Sequence, residues 1–223
     1  MITTDTKSKI EAIVNVFETG SITGGYDTVS IYKDGKANSR QITYGRSQTT
    51  EQGNLHTLIS MYVSNQGQFA NEFSPYLSSI GKTSLVDDSL FRSLLRKAGN
   101  DPIMRQTQDY FFDIIYYTPA LHFFDEYKFV LPLSMLVIYD SYIHSGSVPG
   151  FLRQGFKEMP PSMGGSEKKW VTAYTQTRQD WLKTNSKQIL RKTVYRTGCF
   201  LEQIKNDNWD LMLPVNANGI MVP

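Results

Sequence analysis

A chain of 223 residues, 40% of them hydrophobic and 20% charged, is long enough to bury a core and fits one domain or a small two-lobed one. Its 23 Lys and Arg against 21 Asp and Glu leave a net charge of +2, too slight to imply a nucleic-acid partner. A single cysteine, Cys199, excludes an internal disulfide and Cys-cluster metal sites. Three histidines in all, with His56 and His122 isolated, give no paired ligand spacing, so neither metal nor cofactor is expected.

The start, Met1-Ile2-Thr3-Thr4-Asp5-Thr6-Lys7, lacks the basic segment and apolar run of a secretory leader, so the product is expected to begin in the cytoplasm. Ile10, Ile13, Val14 and Phe17 then recur at helical spacing, with Asp5 placed to cap the helix and Gly20 to end it just after Glu18. That sets one carboxylate at the edge of an apolar face, where lost hydration favours the protonated form a general acid needs. Taken alone, a Glu in the last turn of a surface helix is also an ordinary solvated residue.

Val29-Ser30-Ile31-Tyr32-Lys33-Asp34-Gly35 alternates apolar and polar residues into an Asp-Gly turn, and Gln41-Ile42-Thr43-Tyr44-Gly45 resumes the alternation, which predicts a β-hairpin. Asp34 on that turn is a candidate second carboxylate and Thr43 a candidate hydroxyl for holding a water, although Asp-Gly is in any case a favoured turn pair. Residues 46–52 are expected to be a polar loop lining a cleft, and Leu55, Leu58, Ile59, Tyr62 and Val63 mark the next helix. Asp87 or Asp88 caps a helix carrying Leu90, Phe91, Leu94 and Leu95. Asp101-Pro102 opens another with Ile103, Phe111, Ile114 and Ile115 as its apolar positions.

The aromatic run from Tyr110 to Tyr117 reads as core or as sugar-stacking platforms. Phe129 to Ile143 is too short for a membrane span and carries Asp140, so no membrane insertion is expected. Pro132 to His144 is apolar on almost every face, the pattern of a central buried helix. Asp140 within it needs a partner, for which Arg178 and Arg196 are the natural choices. A long Gly-, Pro- and Ser-rich loop over 145–166, two basic helices over 167–184 and 186–205, and an irregular tail that packs Trp209 and Leu211 complete the chain.

The order Glu18, then Ile31-Tyr32-Lys33-Asp34-Gly35, then Ile42-Thr43-Tyr44-Gly45 resembles the helix-then-hairpin core of the lysozyme superfamily, phage-type lysozymes included. More of the chain resembles glycoside hydrolase family 46, the chitosanases. Gly53-Asn54-Leu55, Tyr139-Asp140 followed by His144-Ser145-Gly146, Tyr174 with Arg178, and Arg196 fall in that family's order over most of residues 8–211. The resemblance implies a mainly α (α+β), lysozyme-like two-lobed fold with a small β-hairpin and a central buried helix. One catalytic domain would span 1–223, with a hairpin lobe at about 19–52 and the cleft between that lobe and the helical remainder.

The resemblance further implies Glu18 as general acid, Asp34 as general base and Thr43 as the residue that helps place the water. In an inverting glycosidase two such carboxylates stand roughly 6.5–9.5 Å apart. It implies that Asp140, Arg178 and Arg196 form a charged network holding Glu18, and the same trio also reads as an ordinary interhelix salt bridge. Tyr44, Arg46, Gln48, Asn54 and His144 are the expected substrate-binding residues.

Two departures bear on the substrate. Lys36-Ala37-Asn38-Ser39-Arg40 reads as an insertion between Asp34 and Thr43, which keeps Asp27 open as the alternative base. Asn54 falls where the chitosanases have an Asp that recognises the sugar's amine, and an amide cannot supply that charge. Chitosan is a polycation that an acidic cleft would steer, whereas a slightly positive chain suits an anionic wall polymer. The expectation is therefore hydrolysis of the β-1,4 backbone of peptidoglycan, as in a phage endolysin or antibacterial effector, acting on the cell wall after release or delivery by lysis, a holin or an injection machine. A chitosanase is the first alternative, favoured if Asp27, Asp34 and Glu51 face one another. A non-catalytic glycan-binding or structural module on the same fold is the second.

Overall fold

Thr3, not Asp5, starts the first helix: its hydroxyl accepts the Thr6 backbone N–H at 3.2 Å in a computed structural model that describes residues 2–46 and 48–223. Met1, in the start expected to lack a leader, and Ser47, within the predicted polar loop, lie outside the described residues. Asp5 instead sits in the first turn of this helix, α1 (Thr4–Thr19), where its charge complements the helix dipole. Gly20, at φ 68°, closes α1 by donating its N–H to the Val16 carbonyl, a left-handed cap that costs glycine little.

The chain divides into two compact units. The first runs to Ile22 and resumes over Ile114–Pro223; the second is the continuous stretch Thr23–Asp113. In the second unit β1 (Val29–Tyr32) pairs antiparallel with β2 (Gln41–Tyr44), with Ile31 opposite Ile42 and Ser30 opposite Thr43. The turn between them is not the tight Asp-Gly turn the sequence suggests. Gly35 has φ −74°, and the reversal falls on Ala37 and Asn38 at φ 52° and 63° within a 3-10 turn over Lys36–Asn38.

A third strand, β3 (Thr49–Thr50), lies where a polar loop is expected and pairs with Thr43 and Tyr44. The difference arises from Glu51, whose buried carboxylate accepts the backbone N–H groups of Ile42 at 3.1 Å and Leu85 at 2.6 Å. A polar run is drawn inside when its polar atoms are satisfied there.

The helices α2 (Leu55–Ser64), α3 (Ala70–Phe73), α4 (Ser89–Ala98) and α5 (Pro102–Phe112) complete the unit. Asp88 caps α4 by accepting from Phe91, and Asp101 caps α5 by accepting from Ile103, with Pro102 at the first helical position. Leu90 of α4 is exposed, leaving Phe91, Leu95 and Ala98 as its buried face. A π-helix over Asp113–Tyr117 follows α5. Most of the aromatic run is core: Phe111, Phe112 and Tyr117 are buried, and Tyr110 is exposed.

In the first unit, α6 (Thr118–Glu126) leads into α7 (Pro132–Ser145), buried at every position from Leu133 to Ser141 as its all-round apolar sequence requires. The helices α1, α6, α9 (Glu167–Thr184) and α11 (Val194–Lys205) pack on α7. The expected loop after α7 contains a short helix, α8 (Gly150–Arg153), and the expected single helix over 186–205 is broken into α10 (Gln188–Arg191) and α11. The tail is not irregular. β4 (Val215–Ala217) and β5 (Ile220–Val222) form a hairpin about Asn218-Gly219, at φ 51° and 90°, a pair suited to a two-residue turn. Trp209 and Leu211 are buried as expected. No described helix is long and apolar enough to cross a membrane.

Gly45 follows β2 at φ 82°, and a Cβ there would meet the Gln108 side-chain oxygen at 2.4 Å. Gln108, fully buried, accepts the Arg46 N–H at 2.9 Å and donates to the Tyr26 carbonyl at 2.9 Å, so it cannot yield without leaving polar groups unpaired. Gly45→Ala should therefore lower stability by roughly 1–3 kcal/mol, read as a fall in the urea midpoint at unchanged slope.

Candidate active site

The last turn of α1 carries Glu18, and α11, α7 and α9 bring charged partners to it. Arg196 on α11 donates through Nη2 to Glu18 Oε1 and through Nη1 to Asp140 Oδ1 at 2.6 Å. Arg178 on α9 donates through Nη1 to the other Asp140 oxygen at 2.7 Å. Both proposed partners of Asp140 are thus used at once. One planar guanidinium bridges two carboxylates, which fixes the position of Glu18 by geometry as well as charge.

Asp140 and Arg178 are 0% exposed and Arg196 3%, whereas 17% of the Glu18 side-chain surface remains accessible. Glu18 is therefore the member of the network that an external molecule can touch.

Burial raises the pKa of the Asp140 carboxyl, and the Arg178 guanidinium opposes the shift. Each Asp140 oxygen accepts an N–H from a guanidinium, the pattern of an ionised carboxylate. Burial pulls Arg196 down to about 9, which still leaves it a cation at neutral pH. A buried carboxylate and two guanidiniums are tolerable only together, since removal of one leaves a buried neighbour short of a partner. Tyr195, next to Arg196, donates its hydroxyl to the Phe17 carbonyl at 2.8 Å, a contact not anticipated from the sequence.

The remaining predicted residues belong mainly to the second unit. Asp34 is exposed on the connection after β1, and its Oδ1 accepts from Gln41 Nε2 at 2.9 Å. Gln41, also missed in the sequence, is buried and accepts the Gln52 N–H through its own oxygen. Its only signal was a polar residue at the head of an otherwise regular strand. The 36–40 segment is held in place: Gln52 accepts the Lys36 N–H at 2.7 Å and donates to Ser39 Oγ at 2.9 Å. Asp27 is exposed, and its backbone packs so closely on Gly99 that a Cβ there would lie 2.3 Å from the Asp27 Cα. Glu51, buried on two backbone amides, faces neither of them as an open carboxylate.

Thr43 sits in the central strand, buried, with its hydroxyl 3.5 Å from the Ser30 carbonyl. Tyr44 is fully buried, and burial pushes its phenol well above the ordinary range. Arg46 pairs with Asp109 and lies over the Phe112 ring, with 6% of its side chain exposed. Substrate contacts were expected from Tyr44 and Arg46, and packing holds both away from the surface. Gln48 (φ 54°) is half-buried, as is Asn54 at the start of α2. His144 belongs to the first unit, near the end of α7. Among the described residues no group of three or more His, Cys, Asp or Glu stands close enough to hold a metal.

Arg178→Met should destabilise the protein by about 3–5 kcal/mol in urea unfolding, because Asp140 keeps its burial and loses one cation. His144 is held at about 4, below its usual 6.5, by burial first and then by Arg178. Its neutral form therefore contributes stability that is complete above about pH 6.5 and is lost as the pH falls toward 4. His144→Gln should flatten the decline in urea midpoint across that interval.

The profile of glycosyl hydrolase family 46 matches residues 12–215. A chitosanase of Bacillus subtilis (strain 168) is 26% identical over 232 residues, covering 96% of this chain and 82% of that protein. The native chitosanase of Bacillus subtilis MY002 superposes with a TM-score of 0.85 at 24% identity, over 100% of both chains. A Gynuella sunshinyii GH46 chitosanase in complex with chitotetraose gives 0.86 at 20% identity, over 100% of this chain and 99% of that one. With a family match running through α1, the hairpin, α7, α9 and α11, the chain belongs to glycosyl hydrolase family 46 and is a glycoside hydrolase acting on O-glycosyl bonds.

Proposed function

We propose that the chain is a chitosanase that hydrolyses β-1,4 bonds between glucosamine units, with Glu18 as the general acid. The observation that carries the catalytic part is the accessible Glu18 carboxyl gripped by a buried guanidinium that is itself held by Asp140. Glu18 protonates the glycosidic oxygen as the bond to the anomeric carbon breaks. Arg196 meets the carboxylate left behind and bonds to it more strongly than to the neutral acid before it. Such stabilisation lowers the barrier because it grows along the reaction.

Asp34 takes a proton from the attacking water, and Thr43 helps to place that water. Gln41 supports this assignment by fixing one Asp34 oxygen, and the pinned 36–40 segment holds the connection that carries it. Attack from the face opposite the leaving group gives inversion.

The choice of chitosan over peptidoglycan follows from the relatives, which are named chitosanases. A net charge of +2 is too small to oppose that. Asn54, an amide where the resemblance calls for a carboxylate, favours peptidoglycan as the second reading.

Reducing-end release from chitosan and from peptidoglycan, measured side by side, decides between them. Native protein should act on chitosan, and Glu18→Gln should lose about 10²–10⁴-fold in kcat while keeping its fold. Asp34→Asn should produce a loss of the same order and Asp27→Asn little change. Activity confined to peptidoglycan, or a full rate in Glu18→Gln, would overturn the corresponding part of the reading.

A further inference from the structure

Two consecutive residues of α11 hold two consecutive residues of α1. Arg196 donates to the Glu18 carboxylate, and Tyr195 donates to the Phe17 carbonyl at 2.8 Å. That carbonyl is among the last four of α1, which a helix leaves without an acceptor's usual partner, since Gly20 bonds to Val16 and the chain then turns away. Tyr195 gives the peptide group joining Phe17 to Glu18 a side-chain partner on its carbonyl side.

The Phe17 side chain is enclosed by the same element. The Tyr195 ring meets it edge-on at 5.7 Å, the Phe200 ring does so at 5.8 Å, and the Arg196 guanidinium lies 5.2 Å from its centroid. We propose that Tyr195 is a positioning residue for Glu18: its hydroxyl fixes the backbone from which the acid projects, while Arg196 fixes the carboxyl itself. Burial first, and then Asp140, pushes the Tyr195 phenol up to about 12, so the hydroxyl remains a donor throughout the neutral range. The Arg196 guanidinium fixes the carboxyl end of Glu18, and the Tyr195 bond fixes the backbone carbonyl immediately before it. Small displacements of a general acid from its proton acceptor are costly, because proton transfer needs hydrogen-bond reach in the transition state.

The proposal rests on Glu18 being the acid, and the test separates the two. Tyr195→Phe removes only the hydroxyl and keeps the ring against Phe17. With chitosan, kcat should fall about tenfold and KM should stay within about twofold. With a nitrophenyl glycoside of a chitosan oligomer, whose leaving group departs without protonation, the fall should be under about twofold. Glu18→Gln, run on both substrates, calibrates how far the second escapes the need for an acid.

An equal loss on both substrates would mean general damage to the fold and would overturn the proposal, as would an unchanged chitosan rate in Tyr195→Phe. A Glu18→Gln variant that cleaves chitosan at the native rate would remove the acid assignment and the positioning role with it. Selective loss in Tyr195→Phe beside an inactive Glu18→Gln is the supporting result.

Discussion

The Arg196 guanidinium is the point on which the first unit turns. It joins a partly exposed carboxylate at the end of α1 to a fully buried one in α7, and Arg178 adds a second cation from α9. Four helices are thereby tied through one set of ionic bonds inside a mainly apolar core. The arrangement is expensive to desolvate and specific once formed, because each charge is acceptable only where its partners already stand. A core of aliphatic side chains would tolerate small shifts of α1 against α7; a shared planar guanidinium does not.

The second unit uses a different device. Its irregular stretches are held by uncharged or singly charged side chains that reach backbone amides. Glu51 takes two, Gln108 spans Tyr26 and Arg46, and Asp101 accepts from Ile103, the Gln68 N–H and the Tyr62 hydroxyl. Each such residue satisfies donors that a loop would otherwise present to water. The result is a stretch with little regular strand that is nevertheless specified residue by residue.

How much of this was legible follows from what a sequence encodes locally. The helix bearing Glu18 declared itself through the spacing of Ile10, Ile13, Val14 and Phe17, and α7 through its unbroken apolar run. Asp140 was readable because an acid inside such a run demands a cation, and only basic residues on other helices could supply one. The third strand was not readable, since Thr49, Thr50 and Glu51 look the same whether water or the backbone satisfies them. Gln41 was missed for the same reason, and Tyr195 because it acts on a carbonyl distant in sequence. Asn218-Gly219 carried a turn signal in a tail too short to suggest two strands. Whole-chain charge pointed toward peptidoglycan, but an average over 223 residues says little about a few sugar-contacting atoms.

The division of the chain also governs the order in which its parts can form. Thr23–Asp113 is continuous, so its contacts are available as soon as that stretch exists. The unit holding Glu18 is discontinuous: α1 packs against α7 and against β4 and β5, all of which come after the whole of the other unit. Loop-closure entropy across the inserted unit must be met before Arg196 can bond Glu18, although Asp140, Arg178 and Arg196 all lie after that unit and can pair without it; such distant contacts slow folding. During synthesis α1 therefore waits with an apolar face uncovered, and the time for which Ile10, Ile13 and Phe17 stay unpartnered is set by the length of what is inserted after them.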